Sequence, residues 1–181
     1  TQISSIMLNR AINEQWALRI AADRVYTDGQ IQNEFNGDKD EAHDEHINGR
    51  IKLLYRPSSR FSALLTIGQD KSDQGDDRAC GANTSRDGVF NCDEYTAFRD
   101  VDGKLTNRFN YQTLKLTAEL NSQWQLTSIT SNSWRDRSER QDADNMAPSN
   151  SGYSGAGEMG VRDESEEDKS LNQEIRLSFD S

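Results

Sequence analysis

The stretch Asp38-Lys39-Asp40-Glu41-Ala42-His43-Asp44-Glu45-His46 holds the densest set of residues that could do chemistry. Oxygen-rich acidic loops can hold Ca²⁺, and paired imidazoles can hold a transition metal. The aspartates lack the EF-hand spacing, however, and no second cluster supplies further ligands. A solvated acidic loop is the expectation, and no metal is assigned. Cys80 and Cys92 are the only cysteines, both in a polar Gly/Asp/Asn-rich stretch. They read as one disulfide, hence an oxidising compartment, against the alternative of two free thiols in a reducing cytosol. Closing so short a loop would add roughly 3 kcal/mol in the chain-entropy model.

Other signals are weaker. Gly155, Gly157 and Gly160 have dinucleotide-fingerprint spacing but no strand before them and no helix after, so a loop tip is expected. Val161-Arg162-Asp163-Glu164-Ser165-Glu166-Glu167-Asp168-Lys169-Ser170 is a charge run of the kind that is usually solvated. Asn83-Thr84-Ser85 matches a glycosylation acceptor only by pattern. Both histidines share one segment, so no Ser/His/Asp or Cys/His set emerges. The carboxylates are too numerous for one acid/base pair to stand out. No catalytic residue and no cofactor is expected; the chain does not read as an enzyme.

Composition narrows the classes. The 181 residues are 33% hydrophobic and 29% charged, with a net charge of -10 and a mean hydropathy of -0.94. That is thin material for an ordinary core, yet three Trp, five Tyr and six Phe argue against disorder. The acidic balance makes nucleic acid an unsuitable partner. No apolar run is long enough for a transmembrane helix. No signal peptide stands at Thr1, and the opening reads as the interior of a mature protein.

What must position these residues is a set of strands. From Leu53 to Phe61 two arms meet at Arg56-Pro57-Ser58-Ser59-Arg60. Every second residue is apolar: Ile47, Gly49, Ile51, Leu53 and Tyr55 on one arm, and Phe61, Ala63, Leu65 and Ile67 on the other. The opposite parity is mostly polar, which is the period of a strand pair. Pro57 fixes its own φ and lacks an N–H, so Pro57-Ser58-Ser59 is expected as the turn. The same alternation gives Trp16, Leu18, Ile20 and Ala22; then Leu114, Leu116, Ala118 and Leu120; then Trp124 and Leu126; and finally Ile175, Leu177 and Phe179. The opening Gln2–Asn9 is expected as a strand of undecided facing.

Connections alternate in length. Short ones fall near residues 10–14, 57–59 and 121–123, and long acidic ones near 28–45, 70–107 and 137–170. That alternation predicts an all-β, antiparallel up-and-down meander of about seven strands. Trp16, Tyr55, Phe61 and Trp124 stand on the apolar parity beside short turns, where aromatic residues gather at a lipid–water boundary. A ten-residue arm spans roughly 33 Å, or some 23 Å when tilted by about 45°, close to the apolar belt of an outer-membrane barrel. The expectation is therefore part of a transmembrane β-barrel with short periplasmic turns and long extracellular loops, and with Arg19, Arg50 and Lys52 facing its lumen.

Four strings carry a family likeness: Trp16–Asn33, Leu53–Ile67, Trp124–Ser131 and Asn172–Ser178. Together, and in this order, they resemble the barrel of TonB-dependent outer-membrane receptors, including an Asp28-Gly29-Gln30-Ile31-Gln32-Asn33 loop and a Gln173-Glu174-Ile175-Arg176-Leu177 strand. The resemblance implies a barrel of about 22 strands around a plug. It also implies energised import of a scarce nutrient such as a ferric siderophore, and the TonB energy-transducing protein as a partner. Outer-membrane lipid and lipopolysaccharide would surround the wall, and the location would be the bacterial cell outer membrane. Seven strands fall short of a closed barrel, and nothing here resembles the plug. Residues 1–181 are thus expected to be a partial β-barrel domain, with ligand-binding residues not identified by the scaffold motifs. The alternatives are a soluble all-β binding or adhesion module with a disulfide-closed loop, whose apolar parity would form a dry core, and a carbohydrate-active enzyme on a β-scaffold.

Overall fold

The computed structural model describes residues 1–78, 95–97, 99–142 and 161–180. In chain order the strands are β1 (Gln2–Ala11), β2 (Trp16–Thr27), β3 (Gln32–Asn33), β4 (Asp44–Ser58), β5 (Phe61–Gly75), β6 (Thr96–Ala97), β7 (Lys104–Glu119), β8 (Trp124–Asp142) and β9 (Val161–Phe179). Seven of them form one antiparallel sheet in the order β1-β2-β4-β5-β7-β8-β9, while β3 and β6 pair in parallel outside it. The expected all-β antiparallel meander is present. β1 and β9 do not pair with each other, so the sheet has two open edges.

The short connections share one end of the sheet, and two of them are built alike. In Ile12-Asn13-Glu14-Gln15-Trp16, the Asn13 Oδ1 accepts from the N–H groups of Gln15 and Trp16, each at 2.9 Å. In Leu120-Asn121-Ser122-Gln123-Trp124, the Asn121 Oδ1 accepts from Gln123 at 2.9 Å and Trp124 at 3.0 Å. Such side-chain-closed turns satisfy backbone donors that the ladder cannot reach. In both, the glutamine carbonyl then accepts from the following strand pair, from Arg56 N at 2.7 Å and from Asp180 N at 2.8 Å. The third turn differs from expectation. β4 continues through Ser58, leaving Ser59-Arg60 as the turn, and its register slips between Tyr55 and Ser58. Pro57 falls in that slip, where its missing N–H breaks no ladder bond.

Register carries the period-two pattern across the whole sheet. Leu18, Leu53, Leu65 and Leu114 are successive direct neighbours, as are Ile20, Ile51 and Ile67. All face one way, with Trp16, Tyr55, Phe61, Trp124 and Phe179 at the turn end. There Trp16 stacks on Tyr55 at 4.4 Å and Trp124 tilts against Phe179 at 4.9 Å. This apolar face is uncovered: Ile51 is 45% exposed, Ile67 43% and Ile175 71%. Among the described residues the buried apolar ones, Ile31, Ala97 and Val101, lie instead at the far end, in and beside the loops.

The strands outrun the expected ten residues, reaching 15 in β4 and β5, 16 in β7 and 19 in β8 and β9. The charge run from Val161 to Ser170 is accordingly strand, not loop. Its carboxylates find partners on β8, where Arg135 stands opposite Asp168 and Arg137 opposite Glu166. Arg135 bonds to both Asp168 and Glu166. Opposed unlike charges stabilise a strand pair that has no apolar face of its own.

Candidate functional site

At the loop end the chain builds a buried polar cluster where period-two patterning no longer applies. β3 and β6 tie the β2–β4 connection to the β5–β7 connection, with Gln32 N donating to Tyr95 O and Glu34 N to Ala97 O, each at 2.9 Å. Beneath them sits Arg99, only 1% exposed. Its Nη2 bonds Glu41 Oε2 at 2.5 Å, and its Nη1 lies 3.0 Å from Asp76 Oδ2. Asn33, fully buried, donates from Nδ2 to Glu41 Oε1 at 2.9 Å and to Arg99 O at 3.0 Å, and its Oδ1 accepts from Phe35 N at 3.1 Å. One guanidinium thus joins three segments that are far apart in sequence.

Asp76 also receives Arg78, through N at 3.0 Å, Nε at 2.8 Å and Nη2. Burial alone would raise the Asp76 carboxyl. The Arg78 hydrogen bonds and the charges of Arg99 and Arg78 outweigh it and hold the group below the usual carboxylate range. Asp40 is held low chiefly by the Tyr26 hydroxyl, with burial opposing and the Gly29 N–H assisting. The packing also depends on Gly75, where an added Cβ would strike the Glu41 carbonyl.

The acidic stretch is therefore mostly spoken for by its own chain. Asp40 binds Tyr26 and Gly29, Glu41 binds Arg99 and Asn33, His46 contacts Asp44 at 3.0 Å and His43 approaches Asp73 at 3.8 Å. Among the described residues no group of three or more His, Cys, Asp or Glu is placed to hold a metal. Cys80 and Cys92, the Asn83–Ser85 triplet, and Gly155, Gly157 and Gly160 lie outside the described residues.

The polar face offers a second arrangement. By register Arg19 is opposite Lys52, and Arg50 is opposite Gly68, which is opposite Tyr111. The Tyr111 ring lies over Gly68, filling the space where a side chain would stand, and it stacks with Phe109 at 5.8 Å. Beyond them Asn107, Phe109, Ser133, Arg135, Asp168 and Ser170 line a cleft of 480 Å³. Nearer the loops a 530 Å³ cleft is bounded by Glu41, His43, Val101, Lys104 and Arg140, among others. An aromatic pair beside cations, with hydroxyls and carboxylates at its rim, can hold a polar solute. Sequence reading placed Arg19, Arg50 and Lys52 on one face, as found, and named Asn33 only as the end of the Asp28–Asn33 loop, but passed over Arg99, Phe109 and Tyr111. For the last two, a Phe-x-Tyr on the polar parity was the available signal. Comparison with known protein families, curated proteins and solved structures finds no match.

Proposed function

We propose that the chain forms part of the wall of a transmembrane β-barrel in a bacterial outer membrane, within a TonB-dependent importer of a scarce nutrient such as a ferric chelate. The observation that carries this reading is the uncovered apolar band, which crosses all seven sheet strands on one face and ends in Trp16, Tyr55, Phe61, Trp124 and Phe179 beside the short turns. Along β4, from Tyr55 to Ile47, the band extends roughly 26 Å, the scale of an outer-membrane apolar belt. A dry core would seal Ile47, Ile51 and Ile67, which are 39%, 45% and 43% exposed. The two open edges then pair with further strands, since a bilayer leaves no ladder unsatisfied.

On this reading the short turns are periplasmic and the tied loops extracellular. Lipid and lipopolysaccharide surround the apolar face, and the nutrient meets the loop-end clefts and the Phe109–Tyr111 region of the polar face. The TonB energy-transducing protein powers release. The chain's role is transport, and the loop network around Arg99 holds the recognition surface in shape. Cells lacking the protein are expected to lose uptake of one labelled ferric chelate or comparably scarce nutrient under starvation, while retaining uptake of unrelated solutes. Undiminished uptake of every such nutrient would contradict the assignment.

A further inference from the structure

The apolar band changes character on its way across the sheet. On β2, β4 and β5 its central rows are Leu18, Leu53 and Leu65, and Ile20, Ile51 and Ile67. Followed on to β7, β8 and β9, the same rows become Leu114, Thr130 and Gln173, and Gln112, Asn132 and Leu171. The row from Tyr55 and Ala63 becomes Leu116, Ser128 and Ile175. Thr130, Ser128 and Gln173 serve one another: Thr130 donates to Gln173 Oε1 at 2.5 Å, and Gln173 Nε2 donates to Ser128 Oγ at 3.0 Å. Gln112 and Asn132 are exposed, and among the described residues their side-chain amides meet no partner. Amides left against hydrocarbon are costly. Polar groups on such a face instead hold proteins together by hydrogen bonds across the contact.

Nearer the loops the same face carries a sorted row of charge. Lys71, Arg108, Asp136 and Glu167 are successive direct neighbours on β5, β7, β8 and β9. Both cations thus lie on one side of the β7–β8 seam and both carboxylates on the other. That puts like charges side by side, at a cost to the sheet. The outer two are met along their own strands, Lys71 by Asp73 at 3.9 Å and Glu167 by Lys169 at 2.5 Å. Arg108 and Asp136 are not. Although directly opposed, they close no ion pair with each other or, among the described residues, with any other group, and both line a 420 Å³ cleft. A sheet that settled its own charges would alternate them. A sorted row is instead self-complementary: a two-fold axis along the membrane normal, standing at the seam, turns the cations of one copy against the carboxylates of the other. Two copies in one bilayer share an orientation, so this two-fold is open to them. Amides, each both donor and acceptor, match their own kind in the same way.

We propose that the outward face of β7 and β8 seats a second copy of this chain, with Arg108 of each copy paired to Asp136 of the other and the Gln112 and Asn132 amides bonded across the axis beside them. The seat rests on the reading of this face as membrane-embedded. The test follows sedimentation of the whole protein in density-matched nonionic detergent micelles at low salt, with strand content checked by circular dichroism. A dimer is expected. R108E or D136R alone should weaken it about tenfold or more, and R108E/D136R should return it to within about threefold of the parent. Q112L/N132L should weaken it about threefold. K52E, on the other face by register, should leave it unchanged. Monomers only, or a dimer indifferent to both charge reversals (as pairing through the open edges of β1 and β9 would be), overturns the proposal. Loss in both single variants without recovery in the double overturns it as well. Folding in plain buffer without detergent would sink the membrane reading instead, and sedimentation there would still report on the seat.

Discussion

The two ends of the sheet handle burial in opposite ways. At the turn end, leucines, isoleucines and aromatic rings lie uncovered on one face, while asparagine side chains close the turns and leave few backbone groups unserved. At the loop end, among the described residues, the packed interior is polar, with Arg99, Asn33, Glu41 and Asp76 buried beside Ile31, Ala97 and Val101. An ordinary soluble domain does the reverse, placing apolar groups inside and charge outside. The difference teaches that the turn end leaves its apolar groups to be covered by something other than this sheet, which on the proposed reading is lipid, whereas the loop end buries polar groups against one another.

Breaking the loop end at its centre should have the largest effect. Arg99→Ala leaves Glu41 and Asp76 buried without their cation, a loss expected to be about 3–5 kcal/mol. Hydrogen exchange should speed up at Gln32, Glu34 and Gly75 while the amides of Ile51 and Leu65 stay protected. At the other end, Leu65→Arg is expected to destabilise the folded chain by roughly 2–4 kcal/mol in lipid vesicles, as for a cation on a lipid-facing strand. An effect of that size in lipid but not for Thr66→Arg, one residue along on the polar face, would sharpen the contrast.

Smaller perturbations separate the ends further. Gly75→Ala pushes a Cβ into the Glu41 carbonyl and should cost about 1–3 kcal/mol, read as faster exchange confined to the loops. Acid should act on the same end. The Asp76 and Asp40 carboxyls sit below their ordinary value when folded, so their contribution is complete above the unfolded value of about 3.9. It is lost as pH falls through the lower folded values. Loop protection should therefore persist at pH 5 and decline below about pH 4, with the turns unaffected. The smallest effect is expected from Asn13→Ala or Asn121→Ala, about 0.5–1.5 kcal/mol each, seen as faster exchange at Trp16 or Trp124 alone.

Legibility in the sequence followed the same division. The facing of Ile47 to Tyr55 and Phe61 to Ile67 could be read directly, because a strand with one apolar side writes its geometry as alternation. The turn-end aromatics followed from position alone. Pro57 was placed one step too far into the turn, since a slip in register absorbs it equally well. The lengths of β8 and β9 were missed because charged cross-strand pairs such as Arg135–Asp168 leave no hydrophobic period in either strand. Arg99 was illegible for a related reason: it is one cation in an acidic connection, and its three partners come from segments that only the folded chain brings together. The repeated Asn-x-Gln-Trp turns were visible as a pattern and went unread.

The central claim is that one strand parity faces hydrocarbon and the other faces water. Nitroxide labels placed singly at positions 51, 53 and 65, and at 52 and 66, in the chain folded into lipid vesicles test it most directly, through relaxation by oxygen and by a water-soluble nickel chelate. Oxygen should dominate at 51, 53 and 65 and the chelate at 52 and 66. Equal access at all five positions, or the inverted pattern, would contradict the account.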